Sequence, residues 1–415
     1  MNNSQSSKFQ STLRIYSAAP HRVMFLPGVI QLIIPILFWL VELTGRYLKL
    51  WDPLGTVIPA TSVHIYLMLF AVFPFFIFGF LFTTYPKWMN GEVIPKNRYL
   101  LTFKLMTSGL LLFYFGLFTS KSLLMIGIFL HMAGWISGIY ALYSVYSRVD
   151  TAVRYHASHL NAALAFGLFG EIVYFLWLEV GGTGFLGFAV NTGFWLFLIP
   201  IFIIVLHRML PFFTSCVVEN YTMHKPMWSL PFLWVCLAGH FLLEIFNQGE
   251  WLFLFDLPLS VFGLYHVWIW GFNKSLQTRL LAVLHISSVC FAAGTALFAI
   301  QSLFLNLTGN LILGKAPLHA LAIGFVTSTV ISMVTRVSLG HSGRPLVMDR
   351  YSWICFWMVL LTACLRILAE IETVSLLLPV NLNLLAAIVW LCFITPWIIR
   401  YGSIYLKPRV DGQPG

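Results

Sequence analysis

Only 9% of the 415 residues are charged, and the stretches between them are repeatedly long enough and apolar enough to cross a bilayer. A soluble globular chain carries about 25% charged residues. So sparse a supply cannot coat a water-facing surface of this size, and the chain reads as an integral membrane protein. In lipid a backbone must satisfy its own hydrogen bonds, and apolar segments of about 20 residues do so as helices spanning about 30 Å. Twelve such spans are expected, near residues 24–44, 62–84, 99–119, 123–147, 155–178, 184–207, 227–246, 252–270, 280–305, 317–338, 351–370 and 376–400. Their connections are short and no soluble domain is inserted. The expected fold is an all-α integral membrane protein, one bundle of about twelve helices. Residues 24–400 form it, with polar cytoplasmic tails at 1–23 and 401–415. The apolar run after Arg22 is too long for a signal-peptide core and shows no cleavage motif, so the first span is expected to stay. No internal repeat stands out.

The net charge of +10 does not point to nucleic acid, because no basic patch carries exposed aromatics for reading bases. The basic residues instead sort by side. With the N-terminus in the cytoplasm, those from Lys8 to Arg409 lie inside, apart from Arg46, Lys49, Lys121 and Lys315 outside and Arg366 within a span. Such an asymmetry predicts both termini in the cytoplasm and an even number of spans. The six cysteines form no CxxC pair and are expected to be free thiols within apolar runs.

Nine of the twelve histidines fall inside or at the rim of spans. An ionisable ring at membrane depth is costly and raises a functional hypothesis by default, and neutral imidazole is a frequent ligand for haem iron, copper and zinc. A single imidazole can simply bond to a carbonyl. His156 and His159, beside Arg154, read as interfacial, and His266, between Tyr265 and Trp268, as part of an aromatic belt. His131 and His240 sit somewhat deeper on the outer side. Two sets look more purposeful. His64 and His319 lie at matching depth near the outer ends of spans two and ten, where two imidazoles could take opposite faces of a haem. His207, His285 and His341 share the cytoplasmic layer, and three imidazoles suit copper or zinc. At that edge Arg208, Arg336 and Arg344, and Arg22 after His21, could bind haem propionates or an anionic substrate, or could snorkel to lipid phosphates. Glu171, Glu244, Arg366 and Glu370, toward the outer side, suit a proton path or internal ion pairs.

Several segments resemble the NnrS family, bacterial membrane proteins associated with the response to nitric oxide. The longest runs from Leu318-His319-Ala320-Leu321 to Thr335-Arg336-Val337-Ser338-Leu339-Gly340-His341-Ser342-Gly343-Arg344-Pro345-Leu346. Gly79-Phe80-Leu81-Phe82-Thr83-Thr84 with Pro86 and Trp88, the start at His21-Arg22 and Phe25, Leu284-His285, and Pro211-Phe212-Phe213-Thr214 add to it. Family members commonly begin span two with His-x-His-Glu, whereas this chain has His64-Ile65-Tyr66-Leu67; Tyr66 is expected to anchor the helix at the interface. The resemblance implies haem, expected as b type, with copper as a second metal, and raises His64, His285, His319 and His341 above the other histidines. It implies nitric oxide as ligand or substrate, a separate electron donor, and a place in the bacterial cytoplasmic membrane. A bis-imidazole haem at His64 and His319 would pass electrons, leaving the inner layer as the reaction site. No catalytic residue is assigned. A nitric oxide reductase-like or scavenging oxidoreductase, a transporter, and a haem- or copper-handling assembly factor are the classes to separate. Twelve spans invite comparison with the haem-copper oxidases, but their paired histidines on spans seven and ten are missing here.

Overall fold

A computed structural model describes residues 3–413, and among them the chain is helical with no strand. Eleven helical segments are long and apolar enough to cross a membrane: Pro20–Leu48, Ala60–Trp88, Lys96–Thr119, Lys121–Tyr146, Tyr155–Val180, Thr183–Ser215, Gly249–Ile269, Arg279–Thr308, Ala316–His341, Arg350–Leu368 and Leu382–Tyr405. Twelve spans were expected. The seventh, Ser229–Ile245, is an apolar helix of 17 residues, shorter than the rest. Numbered with it as span seven, the protein is an all-α, multi-pass membrane protein. Span one opens at Pro20 and span twelve runs to Tyr405, so both reach into the segments expected to be tails.

Local chemistry explains where helices start and stop. Pro20 sits in the first turn of span one, where its missing N–H costs nothing. Gly309, left-handed at φ 72°, closes span nine. Inside the spans, hydroxyls find acceptors on their own helix: Thr83 donates to the Gly79 carbonyl at 2.8 Å and Ser288 to Leu284 at 3.0 Å.

Spans two and six are the most enclosed, with 89% of their apolar windows buried, followed by span ten at 78%. Each of these inner spans is interrupted by wide π-helical turns, at Leu67–Ala71, Thr192–Leu198 and Ala320–Thr327. Pro74 and Pro200 follow the first two closely, and a proline cannot donate to the carbonyl four residues back. In span ten the Thr327 hydroxyl donates to the Ala322 carbonyl at 2.9 Å instead. The device thus recurs on every fourth span, a periodicity that the sequence did not reveal.

Both chain ends meet on one face, the terminal face. Arg22 Nη1 donates to the carbonyls of Tyr405 at 3.3 Å and Lys407 at 2.7 Å. Ser338 at the end of span ten lies 2.7 Å from the Tyr405 hydroxyl, and the Val410 amide donates to the Ser342 carbonyl at 3.0 Å. All six cysteines are free thiols.

Candidate functional site

On the face opposite the termini, His64 of span two stacks on Trp39 of span one, ring centroids 4.5 Å apart and 17° from parallel. Its Nδ1 is buried with no partner. His319, at the start of span ten, has Nδ1 2.9 Å from the Lys315 carbonyl. A carbonyl only accepts, so the proton sits on Nδ1 and the lone pair on Nε2. Arg366 of span eleven brings Nη2 to 3.4 Å from that Nε2 and 3.1 Å from Glu370, while its Nη1 is buried and unpartnered. His319 and Arg366 both act electrostatically on His64, so the two expected imidazoles share one neighbourhood.

Deeper on this side lie two buried imidazole–carboxylate pairs. His131 Nδ1 of span four is 2.7 Å from Glu171 Oε1 of span five, and the Tyr66 hydroxyl donates to the same oxygen at 2.9 Å. His240 Nδ1 of span seven is 2.7 Å from Asp256 Oδ1 of span eight, beneath Trp195, whose ring lies 3.6 Å away. Both His Nε2 atoms and the second oxygen of each acid are buried without a partner. Tyr66 is completely buried, so its expected place as an interface anchor is corrected: its hydroxyl serves a buried acid.

The three imidazoles expected to form an inner metal set lie in three separate surroundings. His207 Nε2 is 3.2 Å from the Pro226 carbonyl and its Nδ1 is 3.0 Å from His156 Nε2, so both ring nitrogens are taken. His285 Nε2 lies 3.2 Å from the Thr214 hydroxyl, with Nδ1 buried and unpartnered. His341 faces His21 instead, ring centroids 4.6 Å apart. Among the described residues no group of three or more His, Cys, Asp or Glu is arranged to hold a metal ion. His156 is not interfacial as expected but buried against His207. His159 is the half-buried acceptor of the Trp234 indole N–H at 3.1 Å. His266 is buried too, between the Phe262 carbonyl at 2.8 Å and the Ser229 hydroxyl at 2.9 Å, and does not belong to a lipid-facing belt.

The expected anion-binding arginines also differ. Arg208 donates to the Trp88 carbonyl at 3.0 Å and lies over the Trp88 ring at 4.9 Å. Arg336 lies over the Phe213 ring at 3.8 Å. Arg344 keeps a buried Nη1 without a partner. At the terminal face His21, Arg22, Ser338, His341, Ser342, Ile404 and Tyr405 line a narrow, tightly closed polar pocket. One helical turn deeper, beyond Phe25, a small apolar cavity of about 40 Å³ opens between spans one, two, six and ten, lined among others by Phe25, Phe76, Phe202 and Met333.

The pairings of His131 with Glu171, His240 with Asp256 and His21 with His341 were missed in the sequence. The one signal for the first was Tyr66, a phenol where the resemblance leads one to expect an imidazole. No curated protein matches the chain. One family, described as NnrS protein, matches residues 15–409, nearly the whole length. The chain therefore belongs to the NnrS family.

Proposed function

We propose that this protein is a haem-binding membrane protein that binds nitric oxide and removes it under nitrosative stress. Membership of the NnrS family fits a membrane protein of the nitric oxide response. The observation that carries the finer reading is the neighbourhood of His64 and His319. It gathers an unpartnered buried Nδ1, an Nε2 lone pair and an arginine with an unused N–H on three different spans. These are the donors a haem calls for, two imidazoles for iron and a guanidinium for a propionate. Held there by both imidazoles, haem would supply one-electron chemistry, and it would offer a diatomic gas a position only where one imidazole is displaced. The chain's own part is to hold the imidazoles. Lys315 fixes the tautomer of His319, Trp39 fixes the plane of His64, and Glu370 steadies Arg366. The apolar cavity under Phe25 suits storage of a small uncharged gas within the bundle.

The finer assignments follow from that reading: the bacterial cytoplasmic membrane as location, a separate electron donor if nitric oxide is reduced, and copper as an additional metal. The arrangement of His207, His285 and His341 lends copper no support, since His207 has no free nitrogen.

Absorption spectroscopy of the purified full-length protein tests the proposal. A stoichiometric Soret band that shifts on adding nitric oxide is expected, and His319→Ala should lose haem or change its spectrum. Full haem content with an unaltered spectrum in His319→Ala would sink the outer site. A second reading, transport, is favoured by the interrupted helices of spans two, six and ten. A colourless, well-folded protein would leave it standing.

A further inference from the structure

The pocket at the terminal face is short of negative charge. Arg22 is 2% exposed and His21 3%, and both line it. Arg22 spends Nη1 on two backbone carbonyls, and its Nε has no partner. His21 Nδ1 and Arg344 Nη1 are likewise buried and unpartnered. Lys87 and Arg409 add their charge to the surroundings of both His21 and His341. Among the described residues no carboxylate lines the pocket. The acid beside it is Asp411, packed on Gly343 so closely that a Cβ there would lie 2.6 Å from its carboxyl carbon. Arg409 already claims both Asp411 oxygens, at 2.9 and 2.6 Å, and these bonds hold its carboxyl down at about 2. Asp411 therefore cancels Arg409, and among the described residues no carboxylate pairs with buried Arg22 or half-buried Arg344.

A buried guanidinium N–H without an acceptor is expensive, and the acceptor that best meets it is one carrying negative charge. We propose that His21 and Arg22, with Arg344 outside the pocket lining but close enough to act on the charge of Arg22, form a binding site for an oxyanion group of the phosphate type, seated between the start of span one, the loop after span ten and the C-terminal segment. The two arginines themselves call for an anion, because a guanidinium offers only N–H groups. The proposal is independent of haem at His64 and His319, which lie at the other face. Such a group would also clasp three distant parts of the chain, since Arg22 already ties Lys407 and Ser342 already ties Val410.

Phosphate of this kind can arrive as a free ion or as a lipid headgroup. Inorganic phosphate is titrated calorimetrically into the full-length protein held in zwitterionic bilayer discs, in wild type, Arg22→Gln and Arg344→Gln. Saturable binding weakened about tenfold or more in each variant is expected for a free ion, the size that follows from losing one charge-assisted hydrogen bond. If phosphate is inert but phosphatidylglycerol raises the thermal midpoint of wild type and not of the variants, the same site takes a headgroup. Should Arg22→Gln fail to fold, His21→Gln and Arg344→Gln carry the test. If neither probe distinguishes monodisperse wild type from the variants, the proposal is wrong. Haem content read in the same samples separates that failure from a failure of the outer site.

Discussion

Glu171 has two carboxylate oxygens, and only one is satisfied. Oε1 receives Tyr66 at 2.9 Å and His131 at 2.7 Å, while Oε2 and the far nitrogen of His131 are buried with nothing to bond. The ring is held through one nitrogen by an acid, so removing either partner strands the other in a low-dielectric interior. His131→Ala is expected to cost about 3–5 kcal/mol, as for other broken buried pairs. Tyr66→Phe removes one bond to a charged group and should cost about 1.5–3 kcal/mol. Replacing His131 and Glu171 together by Leu should cost less than the sum of the single losses. Unfolding in mixed micelles measures all three, and additive losses would show that the pair is not coupled. Residues of this kind were only half legible. His64 and His319 could be paired because the resemblance raised both and counting spans put them at equal depth. His131 and Glu171 sit on adjacent spans with no repeating offset, and sequence spacing records no contact between helices. His21 and His341, 320 positions apart, were legible as motif residues and illegible as neighbours.

At the scale of the helix, what decides packing here is how closely two backbones approach. Without water to drive apolar faces together, spans in lipid associate through close contact, which small residues permit. Spans three and four show the extreme. A Cβ at Gly127 would lie 2.5 Å from the Phe113 amide nitrogen and 2.6 Å from the Gly109 carbonyl oxygen. Nothing at those positions can swing aside, because both are backbone. Gly127→Ala should therefore force the pair apart and cost about 1–3 kcal/mol, as overpacking does in other cores. Gly187→Ala in span six, with nothing within 4 Å, is the matched control. Equal thermal midpoints for the two variants would refute the close-approach account. The spans themselves were plain in the sequence, since apolar length alone identifies them. The π-helical turns were not. The interrupted stretches of spans two, six and ten are apolar almost throughout, so an extra residue in a turn leaves no mark in a periodic pattern. Pro74 and Pro200 hinted at interrupted helices, but span ten is interrupted without a proline, and its Thr327 hydroxyl could not be recognised as a substitute.

At the scale of the whole molecule, the two faces differ in charge more than in any other property. Arg22, Lys87, Arg208, Arg336 and Arg344 belong to the terminal face, and Arg46, Lys49, Lys121 and Lys315 to the other. Basic residues flanking short loops are retained on the cytoplasmic side, so the terminal face is expected to be cytoplasmic. Cys216 offers a direct reading. It is exposed just past the end of span six, on the terminal side, whereas Cys392 is exposed in the middle of span twelve, Cys364 is exposed one turn from the far end of span eleven, and Cys236, Cys290 and Cys355 lie within the bundle. A membrane-impermeant thiol reagent reaches only thiols in water. It should leave intact spheroplasts unlabelled and should label inside-out vesicles at Cys216, with the signal lost in Cys216→Ser. Labelling of spheroplasts that Cys216→Ser abolishes would invert the protein. In that case the oxyanion pocket would face outward and the His64–His319 neighbourhood the cytoplasm. An electron donor in the cytoplasm would then meet the imidazole pair first, whereas in the expected orientation it meets the pocket of His21 and His341. The labelling result therefore fixes which way up the chain sits.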